Sequence, residues 1–414
     1  MSEPVTDNEA VSTLAPPSQE PRIQDIEIAV QRVHDHVAEL RTMANTVEII
    51  LSQLTTRVLQ LEEHYFNLKN SLVAGNRLLG EHLPLRIDED LRNLANKVAE
   101  SKPLGTYFNT RFRDYETAVR NIKNLAAHRG ASMLQGHVHA NVAGPAVVPL
   151  KAKGCTEEDI ESDWVAFWSK ELRIPVSYHR KTWELAYVPQ ILFNEGKLFE
   201  GSKGIGFACG EEPLPSLFAK YGARIVATDL DPNRTEAQGW IKSNQHVQSF
   251  KRLRRVDICS DESRLASIEG AYLDMNAIPA SLKGQFDFCW SICSLEHLGS
   301  IALGLNFIEN SLDILKPGGV SVHTMEFNVN DGETIDNWPT VLFQRHHLVH
   351  LAAKLRTKGF EVYELDFDKG RGILDGFVDL PPYMDECHSR HAHLKLSIDG
   401  FVCTSFGFVV KVPV

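Results

Sequence analysis

The sequence predicts an α/β domain with a parallel sheet, preceded by a long α-helical coiled coil. For the domain, residues 203–231 read as a strand, a glycine-bearing turn, a helix and a second strand that ends in an acid. For the coil, residues 23–72 place apolar side chains at alternating steps of three and four without interruption. A chain of 414 residues has room for both parts.

The turn in 203–231 suits a nucleotide-like ligand. Gly206 and Gly210 let the backbone bend sharply and approach a ligand without a Cβ in the way. Pro213 suits the first turn of the helix, and Asp229 closes the next strand, nineteen positions after Gly210. An acid about twenty residues beyond such a turn is placed to bind ribose hydroxyls. A tight turn without a ligand is the alternative.

Further motifs follow along the chain. They are Tyr272–Pro279, Phe286–Ser291, Leu295–Leu298 and Leu315–Gly319. In this order and spacing they resemble the motifs of class I S-adenosylmethionine-dependent methyltransferases, well over 200–330 and loosely over 330–414. The resemblance implies a Rossmann-like, seven-stranded methyltransferase sheet in 201–414, with S-adenosyl-L-methionine as cofactor. The turn is also similar to that of bacterial methyltransferases associated with surface-polysaccharide biosynthesis.

The first motif departs from the family pattern, which has an acid and then three alternating glycines. Gly206 stands at the position of the acid, Ala208 at the first glycine, Gly210 at the second and Glu212 at the third. Since only Gly210 matches, we expect Glu211 or Glu212 to hold the amino group of the cofactor.

The resemblance implies the other cofactor contacts as well. It assigns the ribose to Asp229, the adenine to Asp274 with Met275, and the transferred methyl group to the end of the fourth strand at Ser291. Leu230 is a further predicted cofactor contact.

A hydroxyl acceptor needs a base that titrates near neutral pH, and histidine is best suited. His297, just after the fourth strand, is the first candidate, with a capping or supporting role as its alternative. His323 and Glu326, at the end of the fifth strand, are the second choices.

The chain before the α/β domain divides into parts of different character. We predict a disordered tail, a helical coiled-coil region, a linker and a helical cap at residues 1–20, 21–128, 129–156 and 157–200. The coil must bury its apolar stripe against another copy, which predicts a homo-oligomer, or against a second helical stretch of the same chain. The cap residues that line the cleft, or else pack in the core, are His179, Arg180, Lys181, Trp183 and Glu184.

The end of the domain carries an insertion. The predicted elements are a helix over Val341–Lys358 and strands over Glu361–Phe367 and Phe401–Val412. Residues 368–398, between the two strands, are too long for a hairpin, and we interpret them as a substrate-recognition insertion. We assign no metal ligand, although a metal is a less favoured interpretation of Asp385, Glu386, His388, His391 and His393.

Composition excludes some functions. The formal net charge of −11 argues against nucleic-acid binding. No leader pattern and no run of about twenty apolar residues occurs, so we expect no integral membrane segment and a cytoplasmic location, with a peripheral site at the inner membrane as a variant. Seven scattered cysteines predict reduced thiols.

The predicted function is O-methylation of a sugar or glycan hydroxyl, so the expected partner is a small-molecule or glycan acceptor. Two alternatives stay open. One is a non-catalytic coiled-coil scaffold with a degenerate methyltransferase domain. The other is a nicotinamide-dependent oxidoreductase, for which the G-x-G-x-x-G pattern is missing.

Overall fold

The computed structural model describes residues 102–136, 144–234, 237–238, 241, 246–381, 383 and 392–414, besides the isolated residues 28, 31, 32, 35 and 38. The predicted tail and nearly all of the coiled-coil stripe lie outside these residues. So do Asp385, Glu386, His388 and His391 of the insertion. The chain divides into two compact units, Met1–Phe108 and Asn109–Val414, and the second contains the α/β domain.

The helices with defined bounds are numbered in chain order. They are α1 (Lys102–Gly136), α2 (Glu157–Ile160), α3 (Asp163–Glu171), α4 (Arg180–Asn194), α5 (Leu214–Lys220), α6 (Glu262–Ala266), α7 (Ile301–Leu312) and α8 (Arg345–Thr357). Several begin at a side chain that accepts a hydrogen bond from the first turn: Thr156, Ser162, Asp261 and Ser300. None of the helices in the described ranges combines the length and the apolar composition that a bilayer crossing demands.

The strands are numbered in the same way. They are β1 (Ala152–Lys153), β2 (Lys203–Phe207), β3 (Arg224–Asp229), β4 (Ile268–Tyr272), β5 (Phe286–Ile292), β6 (Leu315–Asn328), β7 (Glu361–Val362), β8 (Leu365–Asp366), β9 (Val378–Asp379), β10 (Lys395–Ile398) and β11 (Phe401–Lys411). β5 is followed by a 3₁₀ turn, Leu295–His297.

The main sheet has nine strands in the order β4–β3–β2–β5–β6–β11–β10–β9, with β7 also paired to β11. β4, β3, β2, β5 and β6 run parallel, whereas β11 is antiparallel to β6. β2 to β7 together with β11 form a Rossmann-like sheet of seven strands, as the resemblance implies. β9 and β10 extend this sheet at one edge.

Each face of the sheet is covered by its own helices. Because side chains alternate along a strand, Phe288 and Trp290 of β5 pack with α3, α4 and α5, whereas Cys289 packs with α7 and α8. The parallel strands end at a common edge, and ligands of open α/β sheets bind outside that carboxyl edge. Whether a candidate residue can contact a ligand therefore depends on the face and the edge of the sheet at which its side chain lies.

Some predicted bounds differ from the structure. α1 continues to Gly136, inside the predicted linker, and β1 forms near the end of that linker by pairing with β8. The predicted strand Glu361–Phe367 is split into β7 and β8, of which only β7 joins the main sheet. The predicted helix over Val341–Lys358 starts only at Arg345, because Phe343 exchanges backbone hydrogen bonds with Glu326 and Asn328 of β6.

Candidate active site

The bend after β2 lies at the carboxyl edge of the sheet. Ala208 and Gly210 have φ values of 49° and 51°, in the left-handed region that turns the chain sharply. The N–H of Cys209 donates to the carbonyl of Thr228 on β3 at 2.9 Å, which anchors the bend to the neighbouring strand. The first strand of the 203–231 pattern therefore ends at Phe207, and the bend follows it.

The space above Gly206 is filled by side chains of the protein. A Cβ built on Gly206 would lie 2.4 Å from Cζ2 of Trp290 and 2.4 Å from Sγ of Cys209. Trp290 is completely buried, and its Nε1 donates to Oε1 of Glu212 at 2.6 Å. Gly206 thus makes room for an indole rather than for a ligand, and the carboxyl group of Glu212 lies beside the position of the missing family acid.

Of the two acids predicted near the amino group of the cofactor, Glu212 is half-buried and Glu211 is exposed. Burial raises the pKa of Glu212 to about 8, against the smaller opposing effect of its hydrogen bond from Trp290. Glu211 instead pairs with Arg252 at the surface, with 2.8 Å between Oε1 and Nη1. The arrangement favours Glu212 over Glu211 for an ammonium group.

Asp229 closes β3 beside the bend, as the spacing predicts. Its Oδ1 accepts from the N–H of Leu230 at 2.8 Å, and its Oδ2 accepts from the N–H of Val247 at 2.9 Å. The residue is 6% exposed. A carboxylate has about four acceptor positions, so two remain for hydroxyl groups.

The next strand end carries the predicted adenine contacts. Asp274 Oδ2 lies 2.6 Å from Nη1 of Arg234, and its Oδ1 accepts from the N–H of Asn276 at 2.9 Å. Met275 is buried in the apolar cluster that also holds Ile205 and Phe207 of β2. Asp274 is therefore held by an ion pair and by its own turn.

α4 brings charged side chains to the same edge, at the ends of β5 and β6. Nη2 of Arg180 lies 2.5 Å from Oε1 of Glu326, and its Nη1 lies 3.3 Å from Oε1 of Glu184. Lys181 Nζ lies 2.9 Å from Oε2 of Glu184. The hydroxyl group of Ser405 on β11 donates to Oε1 of Glu184, and its Oγ accepts from Nη1 of Arg180 at 3.1 Å.

The remaining cap candidates serve packing. Trp183 is completely buried and donates to Oδ2 of Asp159 at 2.9 Å. The ring of His179 stacks on that of His393, with 4.6 Å between centroids, and His393 Nδ1 lies 2.7 Å from Oδ2 of Asp379. Asp379 in turn pairs with Lys123 of α1 at 2.9 Å. These contacts fasten the insertion and α1 to the start of α4.

Two further residues join the charged cluster. Cys293 follows β5 with φ 41°, and its Sγ lies 3.2 Å from Oε1 of Glu184 and 3.6 Å from Nη1 of Arg180. Glu296 is 1% exposed, and burial together with the charge of Glu326 raises its pKa to about 8. A carboxylate oxygen of Glu296 lies within 4.8 Å of Sγ of Cys293 and of a carboxylate oxygen of Glu326, which places Glu296 at this cluster.

His297 follows Glu296 in the 3₁₀ turn. Its Nδ1 lies 3.0 Å from the carbonyl oxygen of Pro339, which can only accept, so Nδ1 carries the proton and Nε2 the lone pair. Burial lowers the pKa of His297 to about 4, and the charges of Lys181 and Arg180 lower it further. The imidazole is therefore neutral at neutral pH.

The structure does not bring His323 or Ser291 into this site. His323 is completely buried, its Nδ1 lies 2.8 Å from Oγ of Ser291, and its Nε2 lies 2.7 Å from Oγ of Ser321 and 3.1 Å from Oγ of Ser311. Burial lowers its pKa to about 3. Since side chains alternate along β6, His323 faces α7 while Glu326 faces α4.

Sequence reasoning did not assign Trp290, Cys293 or Glu296 to the site. For Trp290 the available signal is its register, since Gly206 is its direct partner on β2. A glycine beside a large aromatic residue on the neighbouring strand indicates close packing. Glu296 stands next to His297 in the motif Leu295–Leu298, but nothing in the sequence brings it near Glu326.

Comparisons with known proteins agree on fold only. No protein-family model matches the sequence, and no curated protein is significantly similar to it. A methyltransferase dependent on S-adenosylmethionine from Aquifex aeolicus is 13% identical over 54% of this chain and 89% of its own, with a TM-score of 0.29. Magnesium protoporphyrin IX methyltransferase from Synechocystis PCC 6803 is 12% identical over 59% and 87%, with a TM-score of 0.34. The (4+2)-cyclase SpnF is 14% identical over 64% and 100%, with a TM-score of 0.35.

At identities and TM-scores this low, these similarities carry no argument about the reaction or the acceptor. The strand order of the sheet, and the strands on which the motifs lie, are observed in this structure independently of those similarities. The described α/β domain has a methyltransferase-like fold with a mixed sheet of nine strands.

Proposed function

We propose that residues 201–414 form an S-adenosylmethionine-dependent methyltransferase that methylates a hydroxyl group, on a sugar or glycan acceptor. One observation carries the proposal. The left-handed bend at Ala208 and Gly210 and the carboxylate of Asp229 lie on adjacent strand ends. The N–H of Cys209 in the bend donates to the carbonyl of Thr228, the residue before Asp229, at 2.9 Å. The preference for a sugar rests on the similarity of the turn alone.

The residues present fit the cofactor in three places. Asp229 has acceptor positions left for the two ribose hydroxyls. Glu212, once ionised, fits an ammonium group beside the bend. Leu230 and Met275, with Asp274 at the strand end, supply the apolar and polar surface for the adenine. When bound, S-adenosyl-L-methionine supplies a methyl group on a positively charged sulfonium centre.

The charged cluster suits the acceptor side. We assign His297 to accept the proton of the hydroxyl group. It is neutral at neutral pH, but its pKa of about 4 lies below the near-neutral value expected of such a base, so it is a weak one. Glu326 is held by Arg180 and serves to position that guanidinium rather than as the base.

A second candidate is a domain that has kept the fold and lost the cofactor. The packing of Trp290 and Cys209 over Gly206 favours it, since the first motif of the family holds an acid at that position. In that case the N-terminal region performs the function as a scaffold.

Calorimetry with S-adenosylhomocysteine decides between the two candidates. We expect binding to the full chain and a loss of roughly 10- to 100-fold in affinity for Asp229→Ala, because two charge-assisted hydrogen bonds to ribose are removed. Asp229→Asn keeps an acceptor for the N–H of Leu230 but loses the charge and the acceptor for the N–H of Val247, so we expect a smaller loss than for Asp229→Ala. Asp257→Ala, an exposed carboxylate paired with Arg255, is the control. No heat at high ligand concentration contradicts the proposal and favours the scaffold.

A further inference from the structure

Three potential metal ligands meet in the charged cluster. They come from the residue after β5, the 3₁₀ turn and the end of β6. The Sγ of Cys293 and one carboxylate oxygen each of Glu296 and Glu326 all lie within 4.8 Å of one another. In a tetrahedral zinc site, ligand atoms lie roughly 3.3–3.8 Å apart, so a shift of about 1 Å brings these atoms onto one ion.

Two of these side chains carry an oxygen with no partner. Oε2 of Glu296 and Oε2 of Glu326 are buried, and neither has a hydrogen bond among the described residues. The residues themselves are 1% and 4% exposed. An unpaired buried carboxylate oxygen costs several kcal/mol unless a proton or a cation meets it. The two oxygens therefore indicate a ligand that the protein alone does not supply.

The charges of the cluster define this ligand. Arg180 and Lys181 already balance the charges of Glu184 and Glu326. A metal ion that binds Cys293 and Glu296 displaces their protons and so meets two further negative charges. One divalent cation neutralises these two charges, whereas a monovalent cation leaves one buried charge.

The neighbouring groups support such a site. Arg180 binds Oε1 of Glu326 at 2.5 Å and so orients that carboxylate with Oε2 directed away from the guanidinium. The same guanidinium lies 3.6 Å from Sγ of Cys293. Burial raises the pKa of that thiol well above its usual value, so the proton leaves only as a cation binds. Thr324 on β6 accepts from the N–H of Cys293 at 3.1 Å and holds the backbone of that residue.

We propose that Cys293, Glu296 and Glu326 bind one divalent transition-metal ion, with Zn²⁺ as the best match. A thiolate ligand disfavours Mg²⁺ and Ca²⁺, which prefer oxygen ligands alone. Three protein ligands leave a fourth position open for water or a substrate oxygen. An ion there would bind the acceptor hydroxyl and lower its pKa, a role that rests on the proposed methyl transfer. Metal binding itself does not rest on it.

Metal binding is measured on the full chain, produced without a metal-affinity tag and dialysed against a chelator. We expect one equivalent of Zn²⁺ by elemental analysis and by calorimetry. Co²⁺ should give a sulfur-to-cobalt charge-transfer band in the near ultraviolet. Cys293→Ser should abolish the band, and Glu296→Gln should weaken Zn²⁺ binding by more than the roughly 10- to 100-fold that loss of an outer-shell partner costs.

The control is Cys289→Ser, a buried cysteine on β5, the strand that precedes Cys293. Its side chain packs on the face of the sheet that α7 and α8 cover, opposite to Arg180. This variant should keep the Zn²⁺ equivalent and the cobalt band. Stoichiometric binding that survives both Cys293→Ser and Glu296→Gln overturns the proposal, and so does the absence of binding. Circular dichroism verifies that each variant folds. Because S-adenosylhomocysteine binding is measured separately, failure of the metal site and failure of the methyltransferase proposal are distinguishable.

Discussion

Substitution of Gly206 by alanine tests how tightly the first motif is packed. The added Cβ would lie 2.4 Å from Cζ2 of Trp290 and 2.4 Å from Sγ of Cys209, where about 3.4–4 Å is ordinary contact. The indole must therefore move by about 1 Å, although it is completely buried and donates to Glu212 at 2.6 Å. Overpacking costs about 1–3 kcal/mol and the weakened buried hydrogen bond about 1 kcal/mol more. We expect Gly206→Ala to lower the free energy of unfolding by about 3 kcal/mol.

Urea denaturation of the full chain, followed by circular dichroism, measures this loss. Gly154→Ala is the matched control, because its nearest neighbour is 3.7 Å from the added Cβ and its φ is not positive. It should change stability by no more than about 0.5 kcal/mol. In a Trp290→Leu background, Gly206→Ala should cost much less, and the coupling energy should be about 1–3 kcal/mol. If Gly206→Ala costs no more than the control, the indole does not fill this space and a ligand has room there.

The other predictions concern charges near the edge of the sheet. For Glu212, burial raises the folded-state pKa from 4.5 to about 8, so the stability from its protonated form is complete below about pH 4.5 and is lost as the pH rises through 8. The unfolding free energy of the wild type minus that of Glu212→Gln, measured in urea between about pH 5 and pH 9, should therefore fall with pH, and a flat difference would show an ordinary pKa. Arg180→Ala should lower the free energy of unfolding by about 3–5 kcal/mol, because Glu326 stays buried without its cation and Glu184 keeps only Lys181. The control Arg252→Ala breaks only an exposed pair and should change stability by less than about 1 kcal/mol, and equal losses for both arginines would refute the reasoning.

Local patterns predicted the fold well because they act over a few residues. Three elements follow from apolar runs, glycines and proline in neighbouring positions: strand β2, helix α5 after Pro213, and strand β3, which ends at Asp229. The elements that differ depend on distant pairing. The predicted strand Glu361–Phe367 is divided because its second part, β8, pairs with β1, which is far away in the sequence.

The candidate site divides in the same way. His297 and Glu326 could be named because each follows a predicted strand, and strand ends meet at one edge of a parallel sheet. His323 and Ser291 have similar positions in sequence, yet their side chains face the opposite side and bind each other at 2.8 Å. A shift of one residue along a strand moves a side chain to the other face of the sheet. Strand bounds predicted only approximately therefore do not determine the face on which a side chain lies.

The sequence by itself determined a strand, a bend, a helix and an acid in the order of a nucleoside-binding turn, since backbone preferences and apolar periodicity are local properties. Only the tertiary structure decided what occupies the space above that turn. Gly206 and Trp290 become neighbours through strand pairing, and Cys293, Glu296 and Glu326 meet because β5 and β6 lie side by side. Contacts between strands depend on register and on the face each side chain takes, and both are settled when the whole sheet packs.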